Sequence, residues 1–257
     1  MPRLEFPCRL GPDVLGVPHG SAYARVFRAG RDNSMGTAWN LHSVKSNRVM
    51  DALSGIERSA MYEALLDPSV LDLREQYPAY DAERIQKYLN DTSLRIPRSM
   101  IPTMDLVLTR LDERSPSGLS FEVVSSKYVK ELGRPAVQRR LERDVEFCQA
   151  LNWTFTLHTE RETSDVRRNS ARTLCMMADG LDVDALREPA WTAAAKVRAM
   201  ADGRTFAALK RSVGRSLSLS VAQVGHLVSV MALHGFISVN LDKQFDESSP
   251  FCLSEQT

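Results

Sequence analysis

The hydrophobic period of the chain changes at Pro135, and that change limits the fold more than any other feature. Before it, MDLVLTRL (residues 104 to 111) and LSFEVV (residues 119 to 124) are rich in strand formers and flank a turn at Ser115-Pro116-Ser117-Gly118. That is the composition of a β-hairpin. After it, Val137, Leu141, Val145, Cys148 and Leu151 recur at steps of three and four, while Arg139, Arg140, Glu142 and Arg143 fall off that stripe. This is the pattern of an amphipathic helix. WTFTLHT, residues 153 to 159, returns to strand composition. A hairpin, a helix and a further strand predict an α/β arrangement, with the helix crossing over between strands of one sheet.

Upstream, Leu53, Ile56, Ala60, Ala64 and Leu65 predict a helix from Ala52 to Leu66, ended by Asp67-Pro68 because proline cannot continue it. The strand-like run VLDL, residues 70 to 73, leads into REQYP, and the polar residues 80 to 100 fit no element. Residues 1 to 50 carry seven basic side chains (Arg3, Arg9, Arg25, Arg28, Arg31, Lys45, Arg48) against three acids (Glu5, Asp13, Asp32). They read either as an irregular solvated arm or as a strip for DNA phosphates. The tail predicts helices near residues 165 to 178, 190 to 201 and 204 to 213, and a break at Gly214. A longer helix from about 219 to 234 follows, with Gly235 as its C-cap, and then the strand FISVNL. That order describes a winged-helix module, so the expected division is residues 1–163 and 164–257. The longer helix carries Gln223, His226 and Ser229 but no Arg or Lys, and Lys210, Arg211 and Arg215 precede it. Such a helix suits protein docking better than phosphate contact.

Bulk properties exclude more than they identify. A net charge of +1 over 257 residues leaves nucleic-acid binding to local patches. Cys8, Cys148, Cys175 and Cys252 lie far apart, without the spacing of a zinc cluster or a secreted disulfide scaffold. There is no signal-peptide core and no apolar run of membrane-spanning length, so a soluble protein of a reducing cytoplasm is expected.

Three carboxylates are candidates for chemistry. Asp105 stands in an apolar strand run, where an unpaired charge would be costly. Glu122 lies in the partner strand, and Glu57 lies beside the apolar stripe of the first helix. Converging from one helix and one hairpin, they would suit Mg²⁺, which takes one or two carboxylates with water and phosphate. A nearby lysine would support phosphodiester hydrolysis. Taken singly, each acid is as well explained as a solvated strand or helix residue. The five histidines show no metal or catalytic spacing, and no Walker, GxSxG or GxGxxG motif is present.

As a whole, the order of elements resembles the TnsA family, the restriction-endonuclease-like subunit of Tn-seven-type heteromeric transposases. The likeness spans about residues 38 to 246 and is most specific in SGIERSAMYEALLDPSVLDLREQYP, residues 54 to 78. This stretch is similar to the family's helix with its first catalytic Glu and its Asp-x-Arg-Glu-Gln-aromatic-Pro signature. The resemblance implies Glu57, Asp105 and Glu122 as metal ligands, with Mg²⁺ as cofactor and Mn²⁺ as a substitute. It also implies a restriction-endonuclease-like mixed sheet flanked by helices, followed by a winged helix. The implied activity is cleavage of the 5′ strands at transposon ends in a bacterial cytoplasm. The implied partners are transposon-end DNA, the DDE transposase TnsB and, through the C-terminal domain, the AAA+ regulator TnsC. The sequence departs from the family where a catalytic lysine should follow Glu122 by two, because that residue is Val124. Strand alternation sets Lys127 opposite Glu122, so its recruitment as the catalytic lysine calls for a strand end or bulge at Ser125-Ser126, with Lys130 a more distant alternative. A catalytically silent bridging subunit and a winged-helix regulator are the competing expectations.

Overall fold

The computed structural model describes residues 5–25, 38–79, 102–201 and 203–254. The chain divides into two compact units, Pro7–Met61 with Ser69–Glu162, and Met1–Phe6 with Tyr62–Pro68 and Thr163–Thr257.

The first unit is mixed α/β. Strands β1 (Trp39–Ser43) and β2 (Arg48–Ala52) form an antiparallel hairpin, and helix α1 (Gly55–Leu66) follows. Then come β3 (Val70–Pro78), β4 (Thr103–Leu111), β5 (Leu119–Ser126), α2 (Pro135–Leu151) and β6 (Thr154–His158). The main sheet has the order β3-β4-β5-β6, with the first two pairs antiparallel and β5-β6 parallel. A parallel pair needs a crossover, and α2 supplies it. The result is a mixed sheet flanked by helices. The helix stripe read from the sequence meets the sheet through Cys148, which joins Leu15, Val17, Tyr77, Val107, Val123 and Trp153 in one buried cluster. Trp153 stacks on Phe121 at 4.9 Å and meets Tyr77 edge-on at 5.8 Å.

One N-terminal expectation changes. Residues 39–52 form a hairpin, which the polar Asn40 and His42 in β1 disguise in the sequence. Of the four described basic residues there, Arg25, Lys45 and Arg48 are engaged within the protein and Arg9 is exposed. Arg25 Nε pairs with Asp51 at 2.7 Å, Arg48 Nη1 donates to Glu75 at 2.8 Å, and Lys45 is buried. Arg3, Arg28, Arg31 and the polar run at 80 to 100 lie outside the described residues.

The second unit contains helices α3 (Asp165–Met177), α4 (Arg187–Met200), α5 (Phe206–Leu217) and α6 (Val221–Leu233). Hydroxyl caps set three of the starts: Ser164, Thr205 and Ser220 accept from the backbone N–H groups of Arg167, Ala208 and Gln223. Gln223 returns a bond to the Ser220 N–H at 2.8 Å, completing a capping box. Gly235, at φ +70°, follows α6 as expected. Gly214 does not break a helix. α5 runs through it to Leu217, and a Cβ there would lie 2.6 Å from the Leu219 carbonyl oxygen, so close approach of the turn accounts for the glycine. FISVNL forms no strand; Val239 makes an isolated antiparallel bridge to Leu253. No single described helix is long and apolar enough to cross a membrane.

Candidate active site

The candidate side chains gather at one end of the main sheet. The register of β3 and β4 pairs Glu75 with Leu106 and Tyr77 with Met104, which sets Gln76 beside Asp105. β4 and β5 pair Leu106 with Val124, and one residue further on Asp105 lies beside Ser125. Gln76, Asp105 and Ser125 therefore share a row across three strands.

Asp105 is buried and accepts from four groups. Its Oδ2 takes the Lys127 Nζ at 2.5 Å, the Ser126 N–H at 2.8 Å and the Ser125 hydroxyl at 3.4 Å. Its Oδ1 takes Arg140 Nη2 from α2 at 2.8 Å. Burial opposes ionisation here, but Lys127 and Arg140 hold the carboxyl below the ordinary range for an aspartate. Lys127 is itself buried, and its Nζ also donates to the Ser126 carbonyl at 3.0 Å. Its backbone N–H bonds to the His158 carbonyl at 3.0 Å, so the chain keeps its path along β6 for one residue beyond β5.

The register accounts for where Lys127 points. Side chains alternate along a strand, so Ser125 and Lys127 share the face that Asp105 occupies, and no bulge is needed. Val124 points to the other face, which it shares with Glu122. Glu122 is the residue the structure sets apart. It pairs with Leu108, three rows from Asp105, and binds Arg110 Nε and the Thr156 hydroxyl, each at 2.6 Å. The expected triad of Glu57, Asp105 and Glu122 is thus not assembled, because Glu122 lies three positions, an odd number, from Ser125 in the row holding Asp105 and so faces the other side of the sheet.

Glu57 does join the site. It is buried rather than on the helix surface, in the first turn of α1, where its Oε2 accepts from the Leu53 N–H at 3.0 Å. The Ser54 hydroxyl donates to its Oε1 at 3.2 Å, and Gln76 Nε2 lies 3.5 Å from its Oε2. Burial, then the charge of Asp105, pushes its carboxyl up to about 7, against the pull of Lys127 and the Leu53 and Ser54 hydrogen bonds. Gln76 is a non-glycine residue at φ 49°, and its Oε1 accepts from the Thr103 hydroxyl at 3.2 Å. Arg140 Nη2 reaches the Thr103 carbonyl at 3.1 Å. A continuous chain of contacts runs Glu57, Gln76, Thr103, Arg140, Asp105, Lys127.

The rest of the REQYP segment is equally committed. Arg74 is fully buried and pairs with Asp13 at 2.5 Å, while the Tyr77 hydroxyl donates to the same carboxylate at 2.7 Å. Arg74 and Tyr77 are three positions apart and would face oppositely in a regular strand. The left-handed backbone at Gln76 between them breaks that alternation. Glu75 takes both Arg48 and the Asp51 N–H. Each polar side chain of this segment therefore has at least one partner, with Asp13 shared by Arg74 and Tyr77.

Sequence reasoning missed Arg140, Ser125 and Asp144 as parts of the site region. Arg140 sits off the apolar stripe of α2, where sequence reads solvent. Asp144 is buried on α2 beside Arg143, at 2.6 Å, with its Oδ2 unpartnered, and burial raises its pKa. Its charge alone, between Arg143 and Val145, gives no signal of burial. Among the described residues, no three His, Cys, Asp or Glu side chains are grouped to hold a metal. No model of a known protein family matches the chain, and no curated protein matches it.

Proposed function

We propose that the chain is a Mg²⁺-dependent DNA endonuclease subunit of the TnsA type. It would cut the 5′, non-transferred strands at transposon ends beside a TnsB-type DDE transposase, in a bacterial cytoplasm. The observation that carries this reading is the convergence of Glu57, Asp105 and Lys127, from a helix and two adjacent strands, into one buried site. Two carboxylates close enough for one charge to raise the other's pKa suit Mg²⁺, which usually takes one or two carboxylates and completes its shell with water and phosphate. Glu57 and Asp105 would hold the ion, which when bound supplies an activated water and stabilises the leaving oxygen. Gln76 orients Glu57. Lys127 places a buried positive charge where negative charge develops, and that charge is strong in a site shielded from water. The helix, strand, hairpin, helix and strand order around this site supports the restriction-endonuclease-like reading of the fold.

The second unit supports a winged-helix reading in part. α5 and α6 meet at a bend of 102° across Ser218–Ser220, within the range of a helix-turn-helix. The face expected to contact a partner is reduced, because Ser229 is buried and only the first turns of α6 are exposed, at Val221, Ala222, Gln223 and His226. A largely buried second helix suits docking of a TnsC-type regulator better than insertion into a DNA groove.

The test is strand-specific cleavage of end-containing DNA by the full chain with its transposase and regulator partners and Mg²⁺. Wild type should cut the 5′ strand, and Asp105→Ala and Lys127→Ala should abolish that cut while 3′ cutting continues. A second reading, a silent bridging subunit, draws on the engagement of both Asp105 oxygens by Lys127 and Arg140. A complex that assembles and cuts the 3′ strands, with wild type never nicking the 5′ strands, would establish that reading instead.

A further inference from the structure

Arg140 differs from the rest of the contact chain in three ways. It comes from the crossover helix rather than from the sheet or α1. Its side chain is 37% exposed, while that of Asp105 is 4% exposed, so Arg140 reaches solvent where Asp105 does not. It is also incompletely bonded: Nη2 makes both contacts, to Asp105 Oδ1 and the Thr103 carbonyl, while the buried Nε has no partner. A guanidinium has five donors in a planar fork suited to carboxylate or phosphate. This one uses a single nitrogen.

Its target is the less crowded oxygen of Asp105. Oδ2 receives Lys127, Ser126 and Ser125, whereas Oδ1 receives Arg140. Lys127 and Arg140 are not equivalent partners. Lys127 is buried and braced by the Ser126 carbonyl, whereas Arg140 is half in solvent on a long side chain.

We infer that Arg140 is a positioning residue that guards Asp105 in the DNA-free protein, occupying the oxygen a divalent cation would need, and that it releases Asp105 to take a phosphate of the DNA substrate. This deepens the nuclease reading and rests on its metal site. A cation binding the free protein must displace one charge-assisted hydrogen bond. DNA arriving with its own phosphates offers the guanidinium a replacement partner, so cation and substrate are acquired together.

The experiment is Mn²⁺ binding to the full chain, followed by electron paramagnetic resonance, for wild type, Arg140→Gln, Arg140→Lys and Asp105→Asn. Arg140→Gln should bind Mn²⁺ about tenfold more tightly than wild type, because a charged hydrogen-bond competitor is gone. Arg140→Lys should fall between them, and Asp105→Asn should lose the site. Binding of end DNA by the partner complex, titrated against salt, should show a shallower slope for Arg140→Gln, by about 0.9 for one phosphate contact. Unchanged or weaker Mn²⁺ binding in Arg140→Gln overturns the guarding role even if the wild type cuts DNA. Tighter binding in that variant, in a protein that never cuts, upholds the guarding role and removes the nuclease reading.

Discussion

β3 in the sheet unit is fully enclosed and α6 in the helical unit is enclosed beyond its first turns, yet they are filled by opposite means. All nine residues of β3 are buried, and Asp72, Arg74, Glu75 and Gln76 are among them. α6 encloses Val224, Leu227, Val228, Val230, Met231 and Leu233 with a single buried polar side chain, Ser229, which donates to the His226 carbonyl. Neighbouring α4 adds Ala190, Ala193, Ala194 and Val197. An apolar interior needs only volume and close packing, and many sequences supply it. A polar interior needs a matched partner for every group, because an orphaned charge costs several kcal/mol. The strand that carries the costlier interior also borders the candidate site, through Gln76.

The sharpest way to break this comparison is to orphan a buried charge. Arg74→Leu leaves the Asp13 carboxylate buried without its cation, held only by the Tyr77 hydroxyl and the Leu15 and Val17 N–H groups, and should cost about 3–5 kcal/mol, read as a fall in denaturant midpoint. The double variant Arg74→Leu with Asp13→Leu should recover part of that loss. A double variant no more stable than the single would mean that partner matching is not what holds β3.

In the helical unit the corresponding change is a cavity. Leu209→Ala, at a side chain with 0% exposure in α5, should cost about 2–5 kcal/mol. Replacement by Met should cost less than about 1.5 kcal/mol. A Met variant as damaged as the Ala variant would show that this interior is as specific as that of the sheet unit.

A smaller effect comes from Glu57. The folded protein keeps its proton up to about pH 7, whereas its ordinary value is 4.5, so between those limits the folded state binds more protons than the unfolded chain. Stability therefore falls as pH rises through that window, by at most about 1.4 kcal/mol per pH unit, and levels off above it. His19 acts in the opposite sense: burial, then Arg74, lowers its pKa, so its share of stability grows as pH rises towards 6.5. Urea titrations of wild type and Glu57→Gln across pH 5 to 8 isolate the Glu57 component as the difference between the two curves. Parallel curves would show that Glu57 ionises normally.

The smallest expected effect is that of Glu122→Gln. Its partners, Arg110 and Thr156, leave it partly exposed, so the change should cost no more than about 1 kcal/mol and leave 5′ cutting intact. Loss of cutting with unchanged stability would return Glu122 to the site.

Helical periodicity located α1 and α2, and strand-former composition with a turn located the β4-β5 hairpin, β6 and the start of β3 at VLDL. The reading fell short where an element has few β-formers or an unbroken buried run. β3 gives no alternation to read, and β1 hides its two buried positions among polar neighbours. FISVNL has strand composition but pairs through a single bridge, Val239 opposite Leu253, closed by the backbone bonds of Ser238 and Asn240 to Ser254 and Cys252, because pairing depends on what lies opposite.

The same division runs through the site. Residue types and order marked Glu57, Asp105 and Glu122 as candidates before any fold was known, Asp105 because an acid inside an apolar run must be paired, and the family resemblance added Lys127. Tertiary structure decided that Lys127 rather than position 124 meets Asp105, that Glu122 does not, and that Arg140 closes the ring from another element. The physical reason is register. A sequence fixes the alternation of faces within each strand, but which residues of two strands stand side by side is settled only when the sheet pairs and the crossover helix packs against it.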